Sequence, residues 1–199
     1  DTAIATTYSL DLVALLMASL SFSLFDRLTA EEKAQPLDGL AILQAVREHA
    51  EKITVFCDAG RIAYQAGKYR SLFTYLEDAV VPVTAPREDG VLHAKLWVQR
   101  FEPRDRQEAV RYRVIVPTRN LTLDQSWDTM LVLEGELTDR TLAIADNHPL
   151  GELLESLPAW AQRVSRARRK AVETVAYEVR RVRFEPPEGY GAGLYLGDT

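Results

Sequence analysis

Residues 91 to 99 alternate without interruption. Leu92, Ala94, Leu96 and Val98 fall on one face of an extended chain, and His93, Lys95, Trp97 and Gln99 fall on the other. A period of two marks a half-buried β-strand, because successive side chains leave a pleated backbone on opposite sides. The pattern therefore predicts a strand with one face on an apolar core. It also puts His93 and Lys95 on the same side, about 7 Å apart along the strand. Arg111 to Val116 reads as the next strand, and Pro117, which has no N–H to give to a ladder, ends it. Asn120 then lies just past a strand end, in the turn Thr118-Arg119-Asn120-Leu121-Thr122.

These residue types suit one kind of chemistry. A neutral imidazole can attack phosphorus and a charged one can protonate a leaving oxygen, while a neighbouring ammonium binds the anionic phosphoryl oxygens. The Asn120 amide can donate to a phosphate oxygen or hold the histidine in place. Three histidines and a single cysteine leave no zinc-type ligand cluster, which points to metal-free chemistry with no cofactor.

The set resembles the phospholipase D superfamily, whose signature is H-x-K followed by a small hydroxyl residue and an asparagine in a G-S-x-N-like turn. His93 and Lys95 match the first part, Thr118 stands where serine is usual, and Asn120 matches the asparagine. Arg100 stands where the family has an aspartate five residues after the lysine. That departure is closer to the pattern of the tyrosyl-DNA phosphodiesterase and nuclease branch than to the lipid-cleaving enzymes. Ser126-Trp127-Asp128 after the turn is similar to the block of large bacterial phospholipase D-like proteins. Residues 1 to about 137 carry the resemblance. It implies His93, Lys95 and Asn120 as catalytic residues, with Thr118, Arg119, Trp97 and Asp128 contacting substrate and Trp97 offering a stacking platform for a base.

Elsewhere the chain alternates between short β-rich runs and helical periodicity. Ala3 to Tyr8 reads as a strand, and Leu12 to Phe25 as a buried helix with Ser9 as candidate N-cap. This apolar run is too short to span a bilayer, and Asp1 and Asp11 replace the basic flank of a signal peptide. After a polar loop to Pro36, a helix is expected from Asp38 to Glu51, then a strand from Ile53 to Cys57 and the turn Asp58-Ala59-Gly60-Arg61. A short helix, Tyr69 to Glu77, precedes a strand from Ala79 to Thr84, and Thr129 to Leu137 is a further strand. Strands separated by helices imply an α/β fold in which a mixed β-sheet is flanked by helices, a phospholipase D-like half. Phosphate chemistry is then expected beyond the strand ends.

Past residue 138 the character changes. Pro149 to Leu157 and Pro158 to about Val179 read as helices, the second with Arg163, Arg166, Arg168, Arg169 and Lys170, which is most simply a solvated face. Arg180 to Phe184 reads as a strand before a Pro- and Gly-rich end. The division expected is therefore a phospholipase D-like domain over 1 to 138, and over 139 to 199 a helical extension with the start of a second lobe.

The expected function is a metal-independent phosphodiesterase, a nuclease that acts on nucleic acid through a histidine nucleophile. The alternative is a catalytically inactive phospholipase D-like module that binds nucleic acid or a partner protein. Superfamily enzymes pair two H-x-K copies and this chain has one, so a second half is expected, from a homodimer or from a longer parent chain. His49 and His148 have no lysine two residues on and read as ordinary surface or helix-end histidines. A lipid substrate is disfavoured by the lack of any membrane-binding segment, and the protein is expected to be cytoplasmic. Net charge −5 excludes a surface coated in basic residues, so any nucleic-acid contact must rest on local positive charge.

Overall fold

The computed structural model describes residues 1–19, 39–63, 70–103, 105 and 107–187. The expected loop to Pro36, the distal half of the first helix and the Gly-rich end beyond Pro187 lie outside them. Among the described residues the strands form a seven-stranded sheet in the order β5-β3-β1-β6-β7-β8-β9. These are β1 (Thr2–Thr7), β3 (Ile53–Asp58), β5 (Val80–Val83), β6 (Leu96–Phe101), β7 (Arg111–Pro117), β8 (Met130–Leu137) and β9 (Val182–Glu185). A small ladder joins β2 (Leu10–Asp11) to β4 (Ile62–Ala63).

The sheet has two halves with different connections. β1, β3 and β5 are parallel, so each return needs a crossover helix. These are a helical segment over residues 12–19 (α1) with α2 (Gly39–Lys52), and α3 (Arg70–Phe73) running into a 3-10 turn, Thr74–Ala79. From β6 onward every neighbour is antiparallel. The mixed sheet flanked by helices agrees with the α/β class expected from the sequence.

Each face of the sheet carries its own core. On one, Leu15, Leu16, Val46, Ala50 and Leu76 pack against Ala5, Val55 and Cys57. On the other, α4 (His148–Trp160) and α5 (Arg166–Val179) bury Leu154, Leu157, Val172, Val175 and Val179 against Ile4, Phe56, Val98, Tyr112 and Val114. β9 pairs with β8, with Gly135 opposite Phe184. A Cβ at residue 135 would lie 2.3 Å from the Arg183 carbonyl oxygen, so this close pairing requires glycine. The boundary expected near residue 138 thus falls inside one sheet and one core: β9 is a strand of the same sheet, and α4 and α5 form the helical layer on one of its faces.

Local corrections have physical causes. Asp11, not Ser9, caps α1, its carboxylate accepting from the Val13 N–H at 2.8 Å, while the Ser9 carbonyl accepts from the Thr7 hydroxyl. Pro158 lies within α4 rather than opening the next helix, and the break comes at Ser165, whose hydroxyl caps α5 by accepting from the Arg168 N–H. The expected strand over 91 to 99 pairs only from Leu96 on. Leu92 nevertheless keeps the alternation, buried in the α4–α5 core.

Candidate functional site

The β1–β6 pairing brings the end of a parallel strand beside the start of an antiparallel one. Thr6 pairs with Leu96, so Thr7 and Tyr8 leave the sheet where His93 to Lys95 enter it. β7 runs back to the same edge and ends at Pro117, opposite Met130 at the start of β8. The carboxyl ends of β1, β3 and β7 and the entry to β6 therefore share one edge, the place where sheets of this kind bind ligands.

His93 and Lys95 sit on the extended segment just before β6 and meet there. The Lys95 Nζ lies 3.3 Å from His93 Nε2 and 3.5 Å from Nδ1, and donates to the His93 carbonyl at 3.1 Å. No carboxylate pairs with this ammonium among the described residues. Partial burial lowers the Lys95 pKa below the ordinary lysine value. A cation held without a counter-anion at a strand end is what an incoming phosphate needs.

Several unforeseen side chains hold this segment. Asp58, buried at the end of β3, accepts from the Leu92 N–H at 2.9 Å and so ties the histidine-bearing segment to the parallel half of the sheet. The Tyr8 ring packs against the His93 imidazole, with centroids 5.4 Å apart and planes tilted by 52°. Over Tyr8 lies the Arg61 guanidinium, 5.1 Å from the ring centroid. The sequence signal for these contacts was slight: a carboxylate and an arginine flanking the Ala59-Gly60 turn.

The Thr118 to Asn120 turn is built from side-chain-to-backbone bonds. Asp128 Oδ1 accepts from the Thr118 hydroxyl at 2.8 Å and from the Thr118 and Arg119 N–H groups. The hydroxyl of Thr118 accepts in turn from the Thr129 N–H. These bonds, the Thr118 hydroxyl foremost, hold the Asp128 carboxyl below the usual aspartate range. Arg119 pairs with Asp124 at 2.9 Å. Asn120 meets the end of β1, its Oδ1 being 3.5 Å from the Thr7 hydroxyl, which accepts from the Leu121 N–H at 3.0 Å. His93 and Asn120 thus approach adjacent residues at the end of β1: Tyr8, just past the strand, and Thr7, its last residue.

The other expected residues separate by position. Thr118 and Asp128 hold the turn, and Arg119 has a carboxylate partner. Trp97, expected as a stacking platform, is half-buried against the α2-side core. An apolar ring inside the Ala5, Leu10 and Leu15 cluster gains more from burial than from solvent. Trp127 is instead the exposed indole of the region, at 98%. His49, near the end of α2, and His148, opening α4, lie at the opposite edge of the sheet. In the α5 basic cluster Arg168 turns inward, donating to the Ala50 and Ile53 carbonyls and the Thr54 hydroxyl. Cys57 is fully buried, and burial with the nearby Asp58 charge pushes its thiol up to about 12, so it is inert.

No protein-family model and no curated protein matches the chain. Its fold is similar to that of a variant of the yeast tyrosyl-DNA phosphodiesterase. The TM-score is 0.51 at 14% identity, over 87% of this chain and 33% of that one. The chain spans about a third of the length of the protein it resembles, and at this identity the likeness is one of fold.

Proposed function

We propose that this chain is the catalytic half of a metal-independent phosphodiesterase acting on nucleic acid, with His93 as the nucleophile. The observation that carries the reading is the Lys95 ammonium, held 3.3 Å from an imidazole nitrogen at the carboxyl edge of the sheet with no carboxylate against it among the described residues. An unprotonated ring nitrogen can attack phosphorus, and an ammonium beside the ring is placed to receive the phosphoryl oxygens. In the proposed step the Lys95 ammonium turns from the ring to a phosphoryl oxygen, the unprotonated imidazole nitrogen bonds to phosphorus, and the bond to the leaving oxygen breaks. Lys95 and Asn120 stabilise the charge on the phosphoryl oxygens. The leaving oxygen takes a proton from a second acid, and water then cleaves the nitrogen–phosphorus bond. The fold shared with a tyrosyl-DNA phosphodiesterase supports nucleic acid as the substrate class.

The second acid calls for a second copy of the motif, because His49 and His148 lie at the far edge. A twofold homodimer through the motif edge, or a second half in a longer parent chain, would supply it. The test is hydrolysis of bis(p-nitrophenyl) phosphate and of a DNA oligonucleotide in excess EDTA. Activity is expected to survive the chelator and to vanish in His93→Ala. Loss with EDTA and recovery with magnesium would overturn the mechanism. Oligonucleotide binding with no cleavage under any condition would identify a binding module instead.

A further inference from the structure

We infer that Arg61, stacked on Tyr8 beside His93, is a clamp for the phosphate adjoining the scissile one on a nucleic-acid strand. This rests on the phosphodiesterase reading of the same site and extends it by one nucleotide unit. Its starting point is the Tyr8 ring at the sheet edge, which contacts both the Arg61 guanidinium and the His93 imidazole. The guanidinium lies 5.1 Å from the Tyr8 centroid, and the Tyr8 ring lies 5.4 Å from the imidazole. Tyr8 is thus the spacer that sets how far the Arg61 cation stands from the attacking group.

Arg61 is exposed, yet its position is fixed from both sides. Its N–H donates to the Asp58 carbonyl at 3.1 Å, closing a turn in which Gly60 adopts a φ of 84°, a conformation that disfavours a side chain. Its carbonyl accepts from the Leu10 N–H at 3.0 Å, and the next residue, Ile62, pairs with Leu10 in the β2–β4 ladder. Through Asp58 the same turn is tied to Leu92, the neighbour of His93. The guanidinium and the imidazole are therefore mounted on one hydrogen-bonded frame.

The charge balance points to an anionic ligand. Among the described residues neither Arg61 nor Lys95 meets a carboxylate, although the chain carries net charge −5. The nearby acids are engaged elsewhere: Asp58 with the Leu92 N–H, Asp11 with the Val13 N–H, Asp128 with the Thr118 turn and Asp124 with Arg119. Several arginines elsewhere do have such partners, among them Arg100, Arg113 and Arg180. Two cations without a carboxylate, one beside the imidazole and one on the ring packed against it, match an extended polyanion better than a single isolated phosphate. A planar guanidinium backed by an aromatic face keeps its free edge for a phosphate's paired oxygens.

The experiment is fluorescence anisotropy of a labelled oligothymidylate with the wild-type chain, Arg61→Ala, Arg61→Lys and Lys95→Ala, across a salt series. Thermal unfolding confirms that each variant is folded. Arg61→Ala is expected to weaken binding about tenfold and to lower the salt slope by about 0.7, the value for one phosphate contact on a single strand. Arg61→Lys should recover the slope but only part of the affinity, because an ammonium lacks the stacked, forked geometry. Wild-type affinity and slope in Arg61→Ala, alongside a reduced slope in Lys95→Ala, would overturn the clamp and leave the phosphodiesterase reading intact. Weaker binding of Arg61→Ala at an unchanged slope would overturn it too, since no phosphate contact would have been lost. Failure of the wild-type chain to bind would overturn both.

Discussion

Lys95 and Arg100 lie on one extended segment, and their surroundings are opposite. Arg100 reaches Glu178 of α5 at 2.7 Å and also bonds Glu102, while the Tyr112 hydroxyl donates to the same Glu178 at 2.6 Å. The Arg100 and Glu178 side chains are only 13% and 15% exposed. Bonding to Glu178 holds the Arg100 pKa above its ordinary value, and burial first, then Glu178, pushes the Tyr112 hydroxyl up. Lys95 has an imidazole and a carbonyl as neighbours, and burial pushes its pKa the other way. One cation fastens a helix to the sheet; the other meets no carboxylate among the described residues. The position where the family resemblance leads one to expect an aspartate has become part of the scaffold, while the H-x-K pair stays at the ligand edge.

The contrast breaks most directly at Lys95. If its ammonium serves the reaction, Lys95→Ala should lower kcat/KM on bis(p-nitrophenyl) phosphate by roughly 10²–10³-fold. Its urea midpoint should stay unchanged. A shifted midpoint with normal turnover would reverse the assignment of roles. Glu178→Ala should do the converse, leaving Arg100 and Tyr112 with an unmet charge and hydroxyl inside the α5 contact. A loss of about 3 kcal/mol in urea unfolding is expected, with phosphate-diester turnover per folded molecule retained.

Asp58→Ala should affect both regions, since it strands the buried Leu92 N–H and frees the segment that carries His93. A loss of about 1–2 kcal/mol in unfolding free energy is expected, together with a fall in kcat larger than any change in KM. Equal loss of kcat in a variant equally destabilised elsewhere, such as Leu154→Val, would show that Asp58 has no positioning role. Smaller still is the pH effect. Because the Lys95 pKa is lowered, its charge is lost at a lower pH than that of an ordinary lysine. The alkaline limb of kcat/KM should begin correspondingly early and should be absent from the residual activity of Lys95→Ala. On the acid side, the Asp128 carboxyl titrates below the ordinary aspartate value. Its hold on the turn is therefore complete above that value and is lost as pH falls through the depressed pKa, which the Thr118 and Arg119 amide shifts would report.

Much of this was written in local pattern. The alternation of Leu92, Leu96 and Val98 gave the buried face of the His93 segment, Pro117 stopped β7, and the apolar spacing of Val46 and Ala50 gave α2 its packed side. Burial repeats with the period of the backbone, so such features are legible without a partner. The roles of single polar residues were less legible. Trp97 continues the face of His93 and Lys95, yet its ring lies against the α2-side core because β6 has by then entered the sheet beside β1. Arg168 belongs to a run that reads as a solvated face, and it turns inward because the Ala50 and Ile53 carbonyls need donors.

By itself the sequence determined most of the strands and helices, that the fold is a mixed α/β sheet, and that an asparagine comes just past a strand end. Periodicity and turn chemistry act over a few residues, and a chain carries them in its own order. Tertiary structure alone decided that Thr7 meets Asn120, that Tyr8 lies between His93 and Arg61, that Asp58 holds Leu92, and that residues 139–187 complete the same sandwich rather than extend it. These contacts join residues far apart in the chain, and they depend on strand order and register, which follow from burying two helical layers on one twisted sheet.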